Sequence, residues 1–206
     1  RVDAEAQKQV RMAERAAVEL AQALAAGRSP QAIRGLCYAA PEAPAEALIL
    51  PPYQQAAVDK DAFTRMFRLF YDHCDPITAR PLAQLQDSRF LVHNPPQPSL
   101  TSAELDAIHD LEFERDLHPR DALLGRVTAL DTIRFALTTH RGCYGECNFC
   151  AIAVHQGRTV QSRSPASIVR EAERIAAHPE FRGTLTDVGG PTANMYGFEC
   201  RRKATK

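Results

Sequence analysis

Hydrophobic positions along this chain follow two periods, one of helices and one of short strands, with proline and glycine marking the changes. Val10, Ala13, Ala17, Leu20 and Leu24 recur at helical spacing in a run rich in Ala, Glu, Gln and Arg. This predicts a helix over 2–26, stopped by Gly27. Residues 47–50 form a short apolar run closed by Pro51 and Pro52, which predicts a strand entering a loop. Helical period returns over 61–74, where Phe63, Met66, Phe67, Phe70 and Tyr71 make a wide apolar face expected to pack in the core. A strand at 90–92 runs into His93-Asn94-Pro95-Pro96-Gln97-Pro98, whose prolines remove backbone donors and enforce an extended path. Thr101 and Glu104 then form a capping box, with Leu105, Ile108 and Leu111 behind it. Residues 115–131 are polar, interrupted by Pro119 and Gly125, and read as linker or loop.

From Thr132 the texture changes. Residues 132–138 are β-branched and aromatic, predicting a strand, and a loop rich in cysteine follows. Ser164 is a good N-cap and Pro165 suits the first helical position; Ile168, Ala172 and Ile175 line one face, and Pro179 and Gly183 end the helix. Residues 184–188 predict a second strand closing on Gly189-Gly190-Pro191. Strand, loop, helix and strand make a βαβ unit, the element of a parallel sheet or barrel. The expected fold is therefore α/β, with a mixed helical and strand region over 1–131 and a βα domain over 132–206.

Composition narrows the function. A chain of 206 residues is long enough for one large or two small domains with a real core. Lys and Arg balance Asp and Glu at 25 each, so no global charge argues for nucleic acid or an anionic membrane. No apolar run approaches the roughly 20 residues of a membrane span, and the charged, amphipathic start is unlike a secretory leader. Three of the six cysteines fall within 143–150, which is not an extracellular disulfide framework and points to a reducing, cytoplasmic setting. Cys37, Cys74 and Cys200 are isolated and read as packing residues. His73, His93, His109, His118 and His178 lack ligand spacing. No phosphate loop or nucleophile elbow is present.

The chemistry concentrates in Cys143, Cys147 and Cys150, spaced C-x3-C-x2-C. Thiolates are the soft ligands of iron–sulfur clusters and of zinc. A four-iron cluster usually takes four thiolates, so three would leave one iron open to a ligand. Gly142 and Gly145 let the backbone bend close to an inorganic core, while His140, Arg141 and Arg158 are expected to bring positive charge that favours thiolate. Phe149 places an aromatic ring where a flat ligand could pack. Two alternatives remain: a structural zinc site completed by His140 or His155, and an electron-transfer cluster with a fourth protein ligand.

The motif Cys143-x3-Cys147-x-Phe149-Cys150 resembles the signature of the radical S-adenosylmethionine superfamily. The wider set resembles its YgiQ family: Arg141-Gly142-Cys143, Gly157-Arg158, Gln161-Ser162-Arg163-Ser164 and Asp187-Val188-Gly189-Gly190-Pro191-Thr192-Ala193-Asn194-Met195-Tyr196, with Asn94-Pro95-Pro96 and the helix after Thr101 upstream. The resemblance implies that the three thiolates hold a [4Fe-4S] cluster and that S-adenosylmethionine chelates the open iron. One-electron reduction, from an external flavodoxin- or ferredoxin-type reductant, would then yield a 5′-deoxyadenosyl radical acting on a substrate the sequence does not name. It implies that Phe149 contacts adenine and that Gly189 and Gly190 meet the methionyl amino group. The superfamily core has six βα units, and about two fit over 132–206. The resemblance therefore also implies a truncated βα barrel, a piece of a longer enzyme expected to be inactive alone.

Overall fold

The computed structural model of the chain describes residues 13–191 and 193–198. The first part of the predicted amino-terminal helix, Cys200 and the basic residues after it lie outside the described residues. The described residues fall into two compact units, one running up to Pro98 together with Val154–Gly157, the other Ser99–Ala153 together with Arg158 onward.

The first unit is built on a four-stranded sheet. Helix α1 (Glu14–Ala25) precedes strands β1 (Cys37–Ala40) and β2 (Leu48–Leu50), helices α2 (Tyr53–Ala56) and α3 (Lys60–Asp72), and the hairpin of β3 (Leu82–Gln86) and β4 (Arg89–His93). Strand order is β1-β4-β3-β2; β4 is antiparallel to both neighbours, and β2 runs parallel to β3 with Leu48 opposite Leu82. Ala40, Ala83 and Val92 form its apolar centre, flanked by Tyr38, Ala43, Ala47 and Phe90. The end of α1 is closed by Gly27 N–H on the Leu24 carbonyl and Arg28 N–H on that of Ala23.

Helix α1 buries Ala16 and Ala23 and leaves Leu24 exposed. One expectation about burial is corrected here. On α3 the fully buried residue is Ala62, whereas Phe63 and Phe67 are 51% and 49% exposed. These rings stack along the helix instead, Phe63 on Phe67 at 6.4 Å and Phe67 on Tyr71 at 5.9 Å. The side of the helix that its neighbours cover is the one bearing Ala62, and the Phe63–Phe67 side is left half exposed. The Asn94-Pro95-Pro96 run acts as a fastener: the buried Asn94 amide donates to the carbonyls of Gln31 (2.7 Å) and Ile33 (2.8 Å), and Arg34 donates to Pro96 O (3.0 Å). Cys74 is buried and Cys37 half-buried, as packing residues would be.

The second unit opens with α4 (Ser102–His109), and its capping box is complete: Thr101 Oγ1 accepts from Glu104 N–H, and the Glu104 carboxylate accepts from Thr101 N–H. The stretch read as linker carries α5 (Pro119–Ala122) and α6 (Thr128–Ile133). The strand predicted over 132–138 shortens to β5 (Leu137–Thr138), because the α6 turn continues through Ile133 with Thr132 Oγ1 bonded back to Ala129 O at 2.8 Å. Next come β6 (His140–Arg141), α7 (Ile152–Gln156, counted with the first unit from Val154 on), β7 (Gln161–Ser162), α8 (Pro165–Ala176) and β8 (Val188–Gly189). Ser164 caps α8 through its hydroxyl on Ser167 N–H, with Pro165 in the first turn. Strands β5 and β8 are parallel, Leu137 opposite Val188, so α8 lies in a βαβ connection. The fold is mixed α/β; among the described residues the sheets have four, two and two strands, and none closes into a barrel. Among the described residues no helix is long and apolar enough to cross a membrane.

Candidate functional site

The cysteine loop is pinned at its root. Strands β6 and β7 pair antiparallel, His140 opposite Ser162 and Arg141 opposite Gln161, so residues 142–160 leave and return at one point. Gly142 makes the exit possible: its φ is +87°, and a Cβ there would lie 2.1 Å from the Thr159 carbonyl oxygen. Glu146, with φ of 47°, makes a second left-handed bend between the first two cysteines.

Gly145 lies between two sulfurs. A Cβ on it would stand 3.3 Å from Cys143 Sγ and 3.7 Å from Cys147 Sγ, and its N–H donates to Cys143 Sγ at 3.3 Å. Cys150 N–H donates to the Cys147 carbonyl at 2.9 Å. Cys143 is buried, Cys150 half-buried and Cys147 exposed. All three line one cavity of about 320 Å³, shared with Phe149 and with Pro191, Ala193 and Met195 from the segment after β8. The cavity thus sits at the carboxyl ends of the parallel strands β5 and β8, where α/β folds bind ligands.

The donor chemistry fits an iron–sulfur cluster, which takes one thiolate per iron and spreads its ligands around a cage. Among the described residues no three His, Cys, Asp or Glu side chains converge to share a single ion. His140, a candidate fourth ligand for zinc, is fully buried and engaged at both nitrogens: Nδ1 lies 2.9 Å from Thr139 Oγ1, and Nε2 accepts from Met195 N–H at 3.3 Å.

The positive charge expected beside the thiols is largely occupied. Arg158 is ion-paired with Glu146. Arg141 is buried and donates to Gln161 Oε1 at 3.4 Å, and both ring nitrogens of His140 face protein partners. The two glycines at the end of β8, Gly189 and Gly190, differ sharply. A Cβ on Gly189 would meet nothing nearer than Asp187 Oδ1 at 3.9 Å, while one on Gly190 would fall 2.4 Å from His140 Nε2. Phe149 is 92% exposed, its ring presented at the cavity edge.

Behind this site stands a buried polar lattice that residue patterns did not reveal. The guanidinium of Arg163 is sealed from solvent; it donates to Thr138 O (2.8 Å), Ser167 O (3.0 Å) and Ser167 Oγ (2.9 Å), and is ion-paired with Glu171. Glu171 is also paired with Arg115, and His109 Nδ1 stands 3.6 Å away. Burial alone would raise the Glu171 pKa, yet hydrogen bonds from His109 and Arg163, the Arg163 charge and Arg115 outweigh it and hold the carboxyl at about 2. Asp106 is also held below the usual carboxylate range: burial opposes, but the hydroxyl and N–H of Ser164 prevail, helped by Ser167 and Arg163. Tyr196 O–H donates to Arg163 O at 2.8 Å, tying the segment after β8 to the same lattice. The available signal was Glu171 itself, a carboxylate one position from the apolar stripe of α8 and in line with the buried Ser167 and Ile175.

An α/β chain with a three-cysteine loop opening a βαβ unit defines the class, and comparison with known proteins gives the family. Residues 2–136 match the family described as Radical SAM N-terminal; the match ends just before β5, and the cysteine loop lies beyond it. The chain is 52% identical to a UPF0313 protein of Fusobacterium nucleatum over 93% of its own length and 34% of that protein's. A UPF0313 protein of Geobacter sulfurreducens is 45% identical over 92% of the chain and 32% of the relative, and one of Thermotoga maritima 42% over 85% and 31%. No solved structure matches. The chain belongs to the radical SAM proteins of the UPF0313, or YgiQ, family. It spans about a third of the length of these curated relatives.

Proposed function

We propose that the chain supplies the cluster loop and the first βα unit of a cytoplasmic radical SAM enzyme, with β5 and β8 the first strands of a βα barrel and residues 1–131 its amino-terminal region. The observation that carries this reading is the single cavity lined by Cys143, Cys147, Cys150 and the segment after the glycine turn. Cys143, Cys147 and Cys150 would hold a [4Fe-4S] cluster there, with S-adenosylmethionine as its partner. When bound, the pair supplies one-electron, hydrogen-abstracting chemistry, driven by an external flavodoxin- or ferredoxin-type reductant. Phe149 covers the adenine with its exposed ring, and the backbone at Gly189 and Gly190 approaches the methionyl end. Gly145, lying between two sulfurs, leaves room for the inorganic core.

Anaerobic reconstitution with iron and sulfide tests the reading. Cys143→Ala, Cys147→Ala and Cys150→Ala are each expected to lose the broad four-iron absorbance, while Cys74→Ala keeps it. Gly189→Ala is the sharper probe, because its Cβ meets no protein atom closer than 3.9 Å. It is expected to keep its iron and lose S-adenosylmethionine affinity by about tenfold. Parent-like iron content in Cys147→Ala, or a colourless protein retaining zinc, overturns the proposal.

A further inference from the structure

We infer that His140 is the positioning residue of the glycine turn, holding Gly190 and the Met195 amide so that Pro191 and Met195 wall the cysteine cavity; this rests on that cavity being the cofactor site. Three contacts converge on one imidazole. The Gly190 backbone lies so close that a Cβ would be 2.4 Å from Nε2, 2.6 Å from Cε1 and 2.7 Å from Cδ2. Nε2 accepts from Met195 N–H at 3.3 Å, so the same edge of the ring that faces Gly190 also holds the segment returning past it. Tyr196 packs against the ring at 6.4 Å, centroid to centroid.

The ring cannot yield. It is fully buried, its Nδ1 is engaged by Thr139 Oγ1, and its backbone belongs to β6, which pairs with β7. Thr139 N–H donates to the Gly189 carbonyl at 2.8 Å, so residues 139 and 140 grip the turn from backbone and side chain together. Pro191 and Met195, just beyond the grip, line the cavity beside the cysteines. Glycine at 190 is therefore required by the imidazole, whereas a Cβ at Gly189 would meet only Asp187 Oδ1, at 3.9 Å.

Steric complementation tests this in the reconstituted chain. Gly190→Ala alone is expected to lower the unfolding midpoint by on the order of 5 °C, the cost of overpacking. Placed in a His140→Ala background it is expected to cost no further degrees, because the Cβ then has room. His140→Ala should speed hydrogen exchange at the Met195 amide and weaken S-adenosylmethionine binding, each by about tenfold at parent iron content. His140→Gln, which restores an acceptor, should recover much of both. Additive destabilisation by the two alanines, or parent-like Met195 exchange and ligand affinity in His140→Ala, overturns the inference. A parent that loads iron and binds no S-adenosylmethionine overturns the cofactor reading and the positioning role with it, and the coupling between 140 and 190 would then be packing alone.

Discussion

In the first unit the large side chains closed off from solvent are Leu82 and Val92, set in a four-stranded sheet with continuous register. In the second, Arg163 and His140 are as completely buried as Leu105 and Ile175, and among the described residues no sheet exceeds two strands. The sheet of the first unit is centred on apolar contact, which is non-directional, with Asn94 as a polar fastener just beyond the end of β4. The second unit leans on a guanidinium, a carboxylate and an imidazole whose partners are fixed in direction. Such a lattice adds little net stability over an apolar core, but it fails hard when one member is removed. It suits a scaffold whose task is to hold two short strands and a loop in one arrangement.

That contrast can be broken at its strongest point. Arg163→Ala leaves the buried Glu171 carboxylate with Arg115 and His109 alone and removes the donor to the Thr138 carbonyl. A loss of about 3–5 kcal/mol is expected, visible as fast hydrogen exchange in α8 and β5 with the β3–β4 hairpin still protected. Equal loss of protection in both units would show that they unfold as one body.

Acid should separate the units next. Glu171 is held at about 2 against an ordinary 4.5, so its contribution is complete above about pH 4.5 and disappears as pH falls through 2. The amount is on the order of 3 kcal/mol, and Asp106, also lowered, adds in the same direction. Near-ultraviolet and amide probes of α8 should change in this window before those of the first unit; Glu171→Gln should flatten the dependence.

Leu82→Ala probes the apolar side. Leu82 is almost wholly buried on β3, and truncation is expected to cost about 2–3 kcal/mol with no change in slope against pH. Smallest is Thr101→Ala, which removes the capping box of α4 and should cost about 1 kcal/mol by chemical denaturation.

How far residues alone reveal this molecule depends on the range of the interaction. The capping box at Thr101 and Glu104 and the cap at Ser164 and Pro165 are read correctly, because each is decided within one helical turn. The strand at 48–50 and the helix at 60–72 follow from apolar runs bounded by Pro and Asp. The exposed side of α3 is misread because periodicity shows which faces can be buried and not which one a neighbour covers. β-branched residues at 132 and 133 favour strand in isolation, yet the α6 turn takes them. In the site, the cysteine spacing and both glycines are visible as a pattern. The imidazole behind Gly190 and the Arg163–Glu171 pair are not, since each joins residues from different elements and only the folded chain brings them together.

The two-residue clasp of β6 and β7 has an entropic consequence. For a free segment as long as 142–160, bringing the ends together costs on the order of 2–3 kcal/mol in chain entropy. Here the ends are already joined by hydrogen bonds, and Cys143 leaves the clasp after a single glycine. Whatever gathers the three thiols then works only against the residual freedom of a pendant ring, so the second and third sulfurs meet a soft metal as intramolecular ligands at high effective concentration.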